Sequence, residues 1–322
     1  MNLNADLTLN STKIYDSKDF PSYLPKLNQL YDDLFSGGKG FRAKLVSILS
    51  DGLKLSPKTE LLLAQTVEFI HNASLLHDDL IDRSHLRRGK PAAWSKYTPE
   101  YAVLAGDYLL ARVMVNLSSH GNIKLVQYTA EVISNLLEGE WLQDSLIRDF
   151  SVELSHLDRV HNLKTASLFK WCLRAPFIAS QRYEPLLHTV LEEMGTLLGQ
   201  LFQRSDDLLD FNIRNHENKA VLGDLKSGYL NSFAAFMSQT WSQEFRSKLK
   251  EIRTIEELYN LNGGKEKFLE VVKRFDDKNI FLIQVYQHHL KTVEKFLIGE
   301  EVNLLKKLEP LTEILYWRKK PG

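Results

Sequence analysis

The sequence predicts an all-α protein, and three observations carry that prediction. Apolar residues recur at helical spacing almost everywhere along the 322 residues, and no stretch alternates with the period of two that marks a half-buried strand. Gly (16) and Pro (9) make up about 8% of the chain against a usual ~12%, so little interrupts long helices. No fixed repeat of about 20–50 residues is present, which sets solenoids aside, and a hydrophobic fraction of 43% is ample for a core.

Taken in order, the spacing predicts helices over 23–35, 42–53, 61–83, 101–118, 125–148, 155–178 and 186–211, with several more between 225 and 317. Breakers place the loops: Ser36-Gly-Gly-Lys-Gly40, Arg88-Gly-Lys-Pro91, Ser119-His-Gly-Asn122 and Asn215-His-Glu-Asn218. No Pro/Gly/Ser-rich linker or shift of composition marks a boundary, so residues 1–322 are expected to form one domain.

Charge narrows the function classes. Lys and Arg number 41 and so do Asp and Glu, which argues against a nucleic-acid binder and requires any anion site to be a local cluster. The one cysteine, Cys172, makes no intrachain disulfide and reads most plainly as a small buried hydrophobe. There is no transmembrane run of 18 apolar residues, and Met1-Asn-Leu-Asn-Ala-Asp-Leu lacks the basic start and apolar stretch of a signal peptide, so a soluble cytoplasmic protein is expected.

Two acidic motifs stand out. Leu75-Leu-His-Asp-Asp-Leu-Ile-Asp82 and Ser205-Asp-Asp-Leu-Leu-Asp210 each set three carboxylates at i, i+1 and i+4. On a helix the first and last lie on one face, roughly 6 Å apart. Like charges at that spacing weaken a helix, as does their place at a helix C-terminus, where the dipole is already negative. A divalent cation removes both penalties, and two such helices facing each other would make a cage of six carboxylates.

The first motif extends to a stripe. Stepping about 100° per residue from Asp78 puts Asp82 about 40°, His71 about 20° and Ser74 about 40° away, beside apolar Ile70, Leu76 and Leu80. That is the pattern of a cleft lining. Basic residues stand close in sequence: Arg87-Arg88-Gly-Lys90 downstream, and Gly37-Gly-Lys-Gly-Phe-Arg42 upstream at a helix start, where backbone N–H groups favour phosphate. Oxygen ligands alone point to Mg²⁺ or Mn²⁺ over zinc, and acids plus separate cations suit a diphosphate bridged by metal. Each feature singly has a plainer explanation: a solvated helix end, a surface charge run, a turn, a core histidine. Their combination is what points to a site.

The segment from Phe69 to Pro91, with Gly106-Asp-Tyr-Leu-Leu-Ala111 and Leu201-Phe-Gln-Arg-Ser-Asp-Asp-Leu-Leu-Asp210, resembles the trans-isoprenyl diphosphate synthases. The likeness runs from about residue 36 to about 235, closest to octaprenyl/solanesyl-type and geranylgeranyl synthases. It implies an isoprenoid-synthase barrel of long helices around a deep cavity, a homodimer, and Mg²⁺-dependent head-to-tail condensation of isopentenyl diphosphate with an allylic diphosphate. Transient membrane contact for product release would be compatible with that role.

By this resemblance, Asp78, Asp82, Asp206 and Asp210 ligate Mg²⁺, with Asp79 and Asp207 in support. Arg87 contacts the allylic diphosphate, closed over by Lys164 and Thr165, Gln203 and Lys219. Lys39, Arg42, His71 and Arg88 hold the second diphosphate. The departing diphosphate itself serves as base, which fits the absence of a nucleophile–histidine constellation.

The chain also departs from the family pattern. Gly40 and Ala43 stand where Gly-Gly-Lys-Arg-x-Arg-Pro has its first Arg and its Pro. In Asp224-Leu-Lys-Ser-Gly-Tyr-Leu-Asn231, Tyr229 stands where the family has a diphosphate-binding lysine, and Lys226 or the Tyr229 hydroxyl is the expected compensation. A slower enzyme is expected, or alternatively a non-catalytic or regulatory subunit of a heteromeric synthase. A terpene cyclase is disfavoured by the second intact acidic motif. Ala73 and Ser74, five and four residues before Asp78, are small, so the growing tail should pass that level and reach C20 or more. Trp141 is a candidate floor for the cavity, although a core aromatic is its plainer reading.

Overall fold

The computed structural model describes residues 20–35, 40–87, 89–211 and 221–317. Helices dominate, as the periodicity requires: α1 (Pro25–Phe35), α2 (Phe41–Gly52), α3 (Pro57–Ile81), α4 (Ala93–Lys96), α5 (Pro99–His120), α6 (Ile123–Ser145), α7 (Leu154–Leu163), α8 (Ala166–Ala179) and α9 (Pro185–Leu209). They are followed by α10 (Gly223–Ser227), α11 (Ser232–Ser238), α12 (Gln243–Ser247), α13 (Ile255–Leu261), α14 (Lys265–Glu294), α15 (Asn303–Leu308) and α16 (Leu311–Trp317). Among the described residues the extended structure is one short antiparallel ribbon, β1 (Leu86–Arg87) against β2 (Lys90–Pro91), with Arg87 opposite Lys90.

The helix expected over 155–178 is in fact two. Lys164 caps α7 and α8 begins at Ala166. The apolar rhythm runs through this break and hides it, because Leu157, Val160, Leu168 and Phe169 are all buried. Helix α3 starts four residues earlier than its periodicity suggested. Ser56 accepts from the Thr59 N–H at 3.2 Å and Pro57 sits at the first helical position, a start signal the apolar count missed.

Backbone proximity divides the chain into two compact units, Met1–Ile133 with Trp171–Glu184, and Ser134–Lys170 with Pro185–Gly322. In the first, α3 packs on α2 and α5. Its apolar stripe of Leu63, Val67, Ile70, Ala73 and Leu76 is buried. Helix α5 approaches α3 closely at Gly106, where a β-carbon would stand 2.3 Å from His77 Nε2. That contact is the reason for a glycine in Gly106-Asp107, and His77 Nε2 also lies 3.5 Å from Asp107 Oδ1.

In the second unit α9 is the spine, contacted by α7, α11, α14 and α16. Gly195 and Gly199 let it come against the start of α8, since a β-carbon at Gly199 would meet Ala166 Cα at 2.4 Å. Below lies an apolar core of Leu201, Leu208, Phe211, Phe233, Phe268 and Phe275. Its rings meet edge to face, Phe233 standing 5.5 Å from Phe268 and 5.4 Å from Phe275. A polar seam crosses this unit: the buried Arg204 donates to Asp158 Oδ1 at 2.6 Å and to Asn279 Oδ1 at 2.8 Å, while Ser205 Oγ donates to the Tyr316 carbonyl at 2.9 Å. The chain thereby ties the start of the second acidic motif to α7, α14 and α16.

Candidate active site

Both acidic motifs fall at helix ends, as the sequence indicated. Asp78 and Asp79 are in the last turn of α3 and Asp82 is its C-cap residue. The three carboxylates divide by burial: Asp79 is buried, Asp78 half-buried and Asp82 exposed. Asp79 is gripped by Arg87, whose Nε donates to Oδ1 at 2.9 Å and Oδ2 at 3.1 Å while Nη2 also reaches Oδ1. The ribbon that presents Arg87 is itself anchored, because Trp94 Nε1 donates to the Ser84 carbonyl at 2.9 Å. Asp78 and Asp82, the two singled out as metal ligands, are thus less buried than Asp79.

From α2, Arg42 Nη1 donates toward His71 Nε2 on α3 at 3.3 Å, bringing two of the four residues assigned to the second diphosphate together. Lys39 and Arg88 lie outside the described residues, as does Lys219. The two departures in the glycine loop acquire a physical account here. Gly40 caps α2 at φ 54°, ψ 32°, a left-handed conformation that strains an arginine. The Ala43 N–H donates to Glu68 Oε1 at 3.2 Å, a bond that proline cannot make. Cys172 donates to the Arg42 carbonyl at 3.7 Å and burial pushes its thiol far up, so it behaves as the small buried residue expected. Ala73 is fully buried and Ser74 half-buried, its hydroxyl donating to the His71 carbonyl at 2.9 Å.

In the second unit Asp206 is half-buried, while Asp207 and Asp210 are buried at 4% and 8% exposure. Asp207 sits at the N-terminus of α11, accepting from the Ser232 N–H at 2.9 Å and from the Ser232 hydroxyl, with Gln203 Nε2 at 3.0 Å on its other oxygen. Burial nonetheless raises its carboxyl above the ordinary range. His161 Nε2 lies 3.9 Å away, and burial, aided by the Arg204 charge, pushes this imidazole down to about 3. It is neutral.

Asp210 closes the loop beyond α9. It accepts from the Gly223 N–H at 2.6 Å and the Asp224 N–H at 3.3 Å. Burial and then the Asp224 charge raise its carboxyl to about 7. Asp224 is held in turn by Asn231 Nδ2 at 2.9 Å. Two adjacent carboxylates at this depth take up either a proton or a cation.

The break between α7 and α8 brings Lys164 and Thr165 to the same region. Lys164 pairs with Glu140, and Thr165 Oγ1 donates to Gln203 Oε1 at 3.0 Å, so Gln203 links Thr165 to Asp207. Tyr229 is partly buried near Asp207, Asp224 and Glu140; burial first, then those charges, push its phenol far up, so it is a neutral donor where the pattern has a cation. Lys226 is exposed and donates to the Val221 carbonyl at 2.9 Å, so compensation from it gains no support. Trp141 is 80% exposed, which corrects both its readings, as a cavity floor and as a core aromatic.

The sequence reading missed four partners: Glu140, Asp158, His161 and Ser232. Ser232 alone left a signal, as the first residue after the N-capping Asn231. A cavity of about 340 Å³ in the first unit is lined by His120, Asn122, Lys124 and Tyr183. It lies 14 residues along α5 from Gly106, roughly 21 Å at the helical rise, and holds none of the motif residues.

Among the described residues no three His, Cys, Asp or Glu side chains are placed to hold a metal by themselves. The donors present still suit a hard cation. All are carboxylate oxygens, and the Asp210–Asp224 pair is destabilised by its own charge. Mg²⁺ commonly takes one or two carboxylates and completes its shell with water and phosphate oxygens.

Comparison with known proteins follows the same line. Residues 24–263 match the family model described as Polyprenyl synthetase. Octaprenyl diphosphate synthase of Escherichia coli (strain K12) is 33% identical over 204 residues, 63% of this chain and 63% of that protein. Decaprenyl-diphosphate synthase of Dictyostelium discoideum is 34% identical over 259 residues, 78% of this chain and 56% of that one. These matches thus span less than two thirds of those relatives. Among solved structures, a decaprenyl diphosphate synthase from Rhodobacter capsulatus superposes with a TM-score of 0.82 at 24% identity, over 95% of this chain and 94% of that one. The heptaprenyl diphosphate synthase of Staphylococcus aureus gives 0.73 at 26% identity, over 94% and 95%.

Proposed function

This chain belongs to the polyprenyl synthetase family, and from that membership we propose that it condenses isopentenyl diphosphate head-to-tail with an allylic diphosphate, releasing diphosphate and yielding a polyprenyl diphosphate of C20 or longer. The observation that carries this reading is the division of labour within each acidic motif. Buried carboxylates are held by internal donors, Asp79 by Arg87, Asp207 by Ser232 and Gln203, and Asp210 by the Gly223 and Asp224 N–H groups, while Asp78, Asp82 and Asp206 stand less buried beside them. The family match spans residues of both compact units, which supports a single synthase domain.

Mg²⁺ or Mn²⁺, bound by Asp78, Asp82, Asp206 and Asp210, would supply charge that makes the allylic diphosphate a leaving group. The chain's own part is to place and shield. Arg87 and Lys164 offer cations to the departing diphosphate, and next to Lys164 the Thr165 hydroxyl is tied to Gln203. Arg42 and His71, with Lys39, Arg88 and Lys219 in the assigned roles, hold and orient the diphosphates. Small Ser74, half-buried beside the fully buried Ala73, leaves the tail room to pass.

A second copy of the chain is the proposed partner. Leu104 and Val115 on α5 are 67% and 50% exposed, three turns apart on one stripe, and Leu137 and Trp141 on α6 are 50% and 80% exposed at i, i+4. No described helix is long and apolar enough to cross a membrane. The regulatory-subunit reading draws on one observation, the neutral Tyr229 among three carboxylates.

One experiment tests both readings. The purified chain is incubated with Mg²⁺, labelled isopentenyl diphosphate and each of the C5, C10, C15 and C20 allylic diphosphates, and the dephosphorylated products are chromatographed. A ladder ending at C20 or beyond is expected. Products that stop at C15 would overturn the chain length. Absence of product with every primer would overturn the catalytic reading in favour of the regulatory one.

A further inference from the structure

Glu140 has no part in the scheme above, yet it faces one of the two cations assigned to the departing diphosphate. Resting on the proposed function, we infer that Glu140 is a positioning residue: its carboxylate holds the Lys164 ammonium before substrate binds and yields it to an incoming diphosphate.

The register of this contact is set by the backbone. At Gly139 helix α6 lies so close to the α7–α8 break that a β-carbon would stand 2.7 Å from Lys164 N and 3.0 Å from Lys164 Cα. Glu140 follows directly, and its Oε2 forms an ion pair with Lys164 Nζ. The two side chains are 14% and 22% exposed, shielded from bulk water but within reach of a ligand. The contact is an ion pair between two partly exposed side chains. Such a contact is exchanged easily, because a carboxylate offers a single charge where a diphosphate offers more.

The neighbours of Lys164 are fixed by partners of their own. Thr165 is tied to Gln203, and Gln203 to Asp207, which is held by Ser232. Desolvating an ammonium with no counter-charge is unfavourable, and a resident carboxylate keeps the Lys164 side chain paired and aimed between successive rounds of condensation. The same carboxylate competes with the substrate. Glu140 therefore sets how tightly the diphosphate is held.

The test is calorimetric titration of inorganic diphosphate in Mg²⁺ into the full chain, Glu140→Gln, Glu140→Asp, Lys164→Met and the Glu140→Gln/Lys164→Met double variant. Glu140→Gln is expected to bind about two- to fivefold more tightly, the range of a partly exposed ion pair. The gain should vanish in the Lys164→Met background, and KM for the allylic diphosphate should fall in Glu140→Gln without a rise in kcat. Glu140→Asp keeps the charge and should stay near the unsubstituted chain. Unchanged or weaker binding in Glu140→Gln, a gain that survives without Lys164, or weakening in both Glu140 variants would overturn the inference. Failure of the unsubstituted chain to bind diphosphate at any Mg²⁺ concentration would instead overturn the proposed function, and this inference with it.

Discussion

Arg87 is bound to Asp79 through both Nε and Nη2, so the cation assigned to a diphosphate is anchored eight residues away on the first acidic motif itself. The Arg87 side chain is 40% exposed and the Asp79 side chain 6%, so a partly exposed cation covers a buried carboxylate. Replacing Arg87 by Ala strands Asp79. Allowing for solvent around Arg87, the loss should be about 1–2 kcal/mol in urea unfolding, and Asp79→Asn in the same chain should restore part of it. Equal stability of Arg87→Ala and the parent would show that the pair contributes nothing.

Close helix contacts give a second prediction. A methyl at Gly199 meets the Ala166 backbone at 2.4 Å, whereas a methyl at Gly106 meets the ring of His77. Backbone cannot step aside but a half-buried ring can. Gly199→Ala should therefore lose about 1–3 kcal/mol and Gly106→Ala less, as read from paired denaturation curves.

Acid sensitivity follows from His161. Its folded-state value is pushed down to about 3, while in the unfolded chain it takes a proton near the ordinary 6.5. Between those values the unfolded state binds the extra proton, so stability falls as pH drops below about 6.5, by at most about 1.4 kcal/mol per unit. Asp207 and Asp210, whose carboxyls are raised, act in the opposite direction. The difference between the parent and His161→Asn isolates the histidine, and melting curves that keep the same gap from pH 7 to pH 4 would refute the assignment.

Product length should answer to Ser74. Ala73 is fully buried, so a phenylalanine there would overpack the first unit, but Ser74 is half-buried and can accept one. Ser74→Phe should shorten the ladder with little change in melting temperature. An unchanged product distribution would mean that the tail does not pass this level.

Cys172 is buried with its thiol pushed far up, so a thiol reagent should label it only as the protein unfolds. Labelling that tracks the denaturation curve is the expected outcome; rapid labelling at pH 8 in buffer would contradict the burial.

Much of this protein was legible in the sequence because it depends on local periodicity and local charge. The helical rhythm and the breakers located the long helices, and the spacing in Asp78-Asp-Leu-Ile-Asp82 and Asp206-Asp-Leu-Leu-Asp210 marked the acidic motifs at helix ends. Tertiary structure decided what no local pattern encodes: which carboxylates of each motif are buried, that Arg87 turns to Asp79, that Lys164 turns to Glu140, and that α7 ends where the apolar rhythm continues. Those outcomes depend on which distant segment supplies a partner. A buried charge is stable only beside its counter-charge or donors, and folding alone brings residues such as Asp207 and Ser232 together.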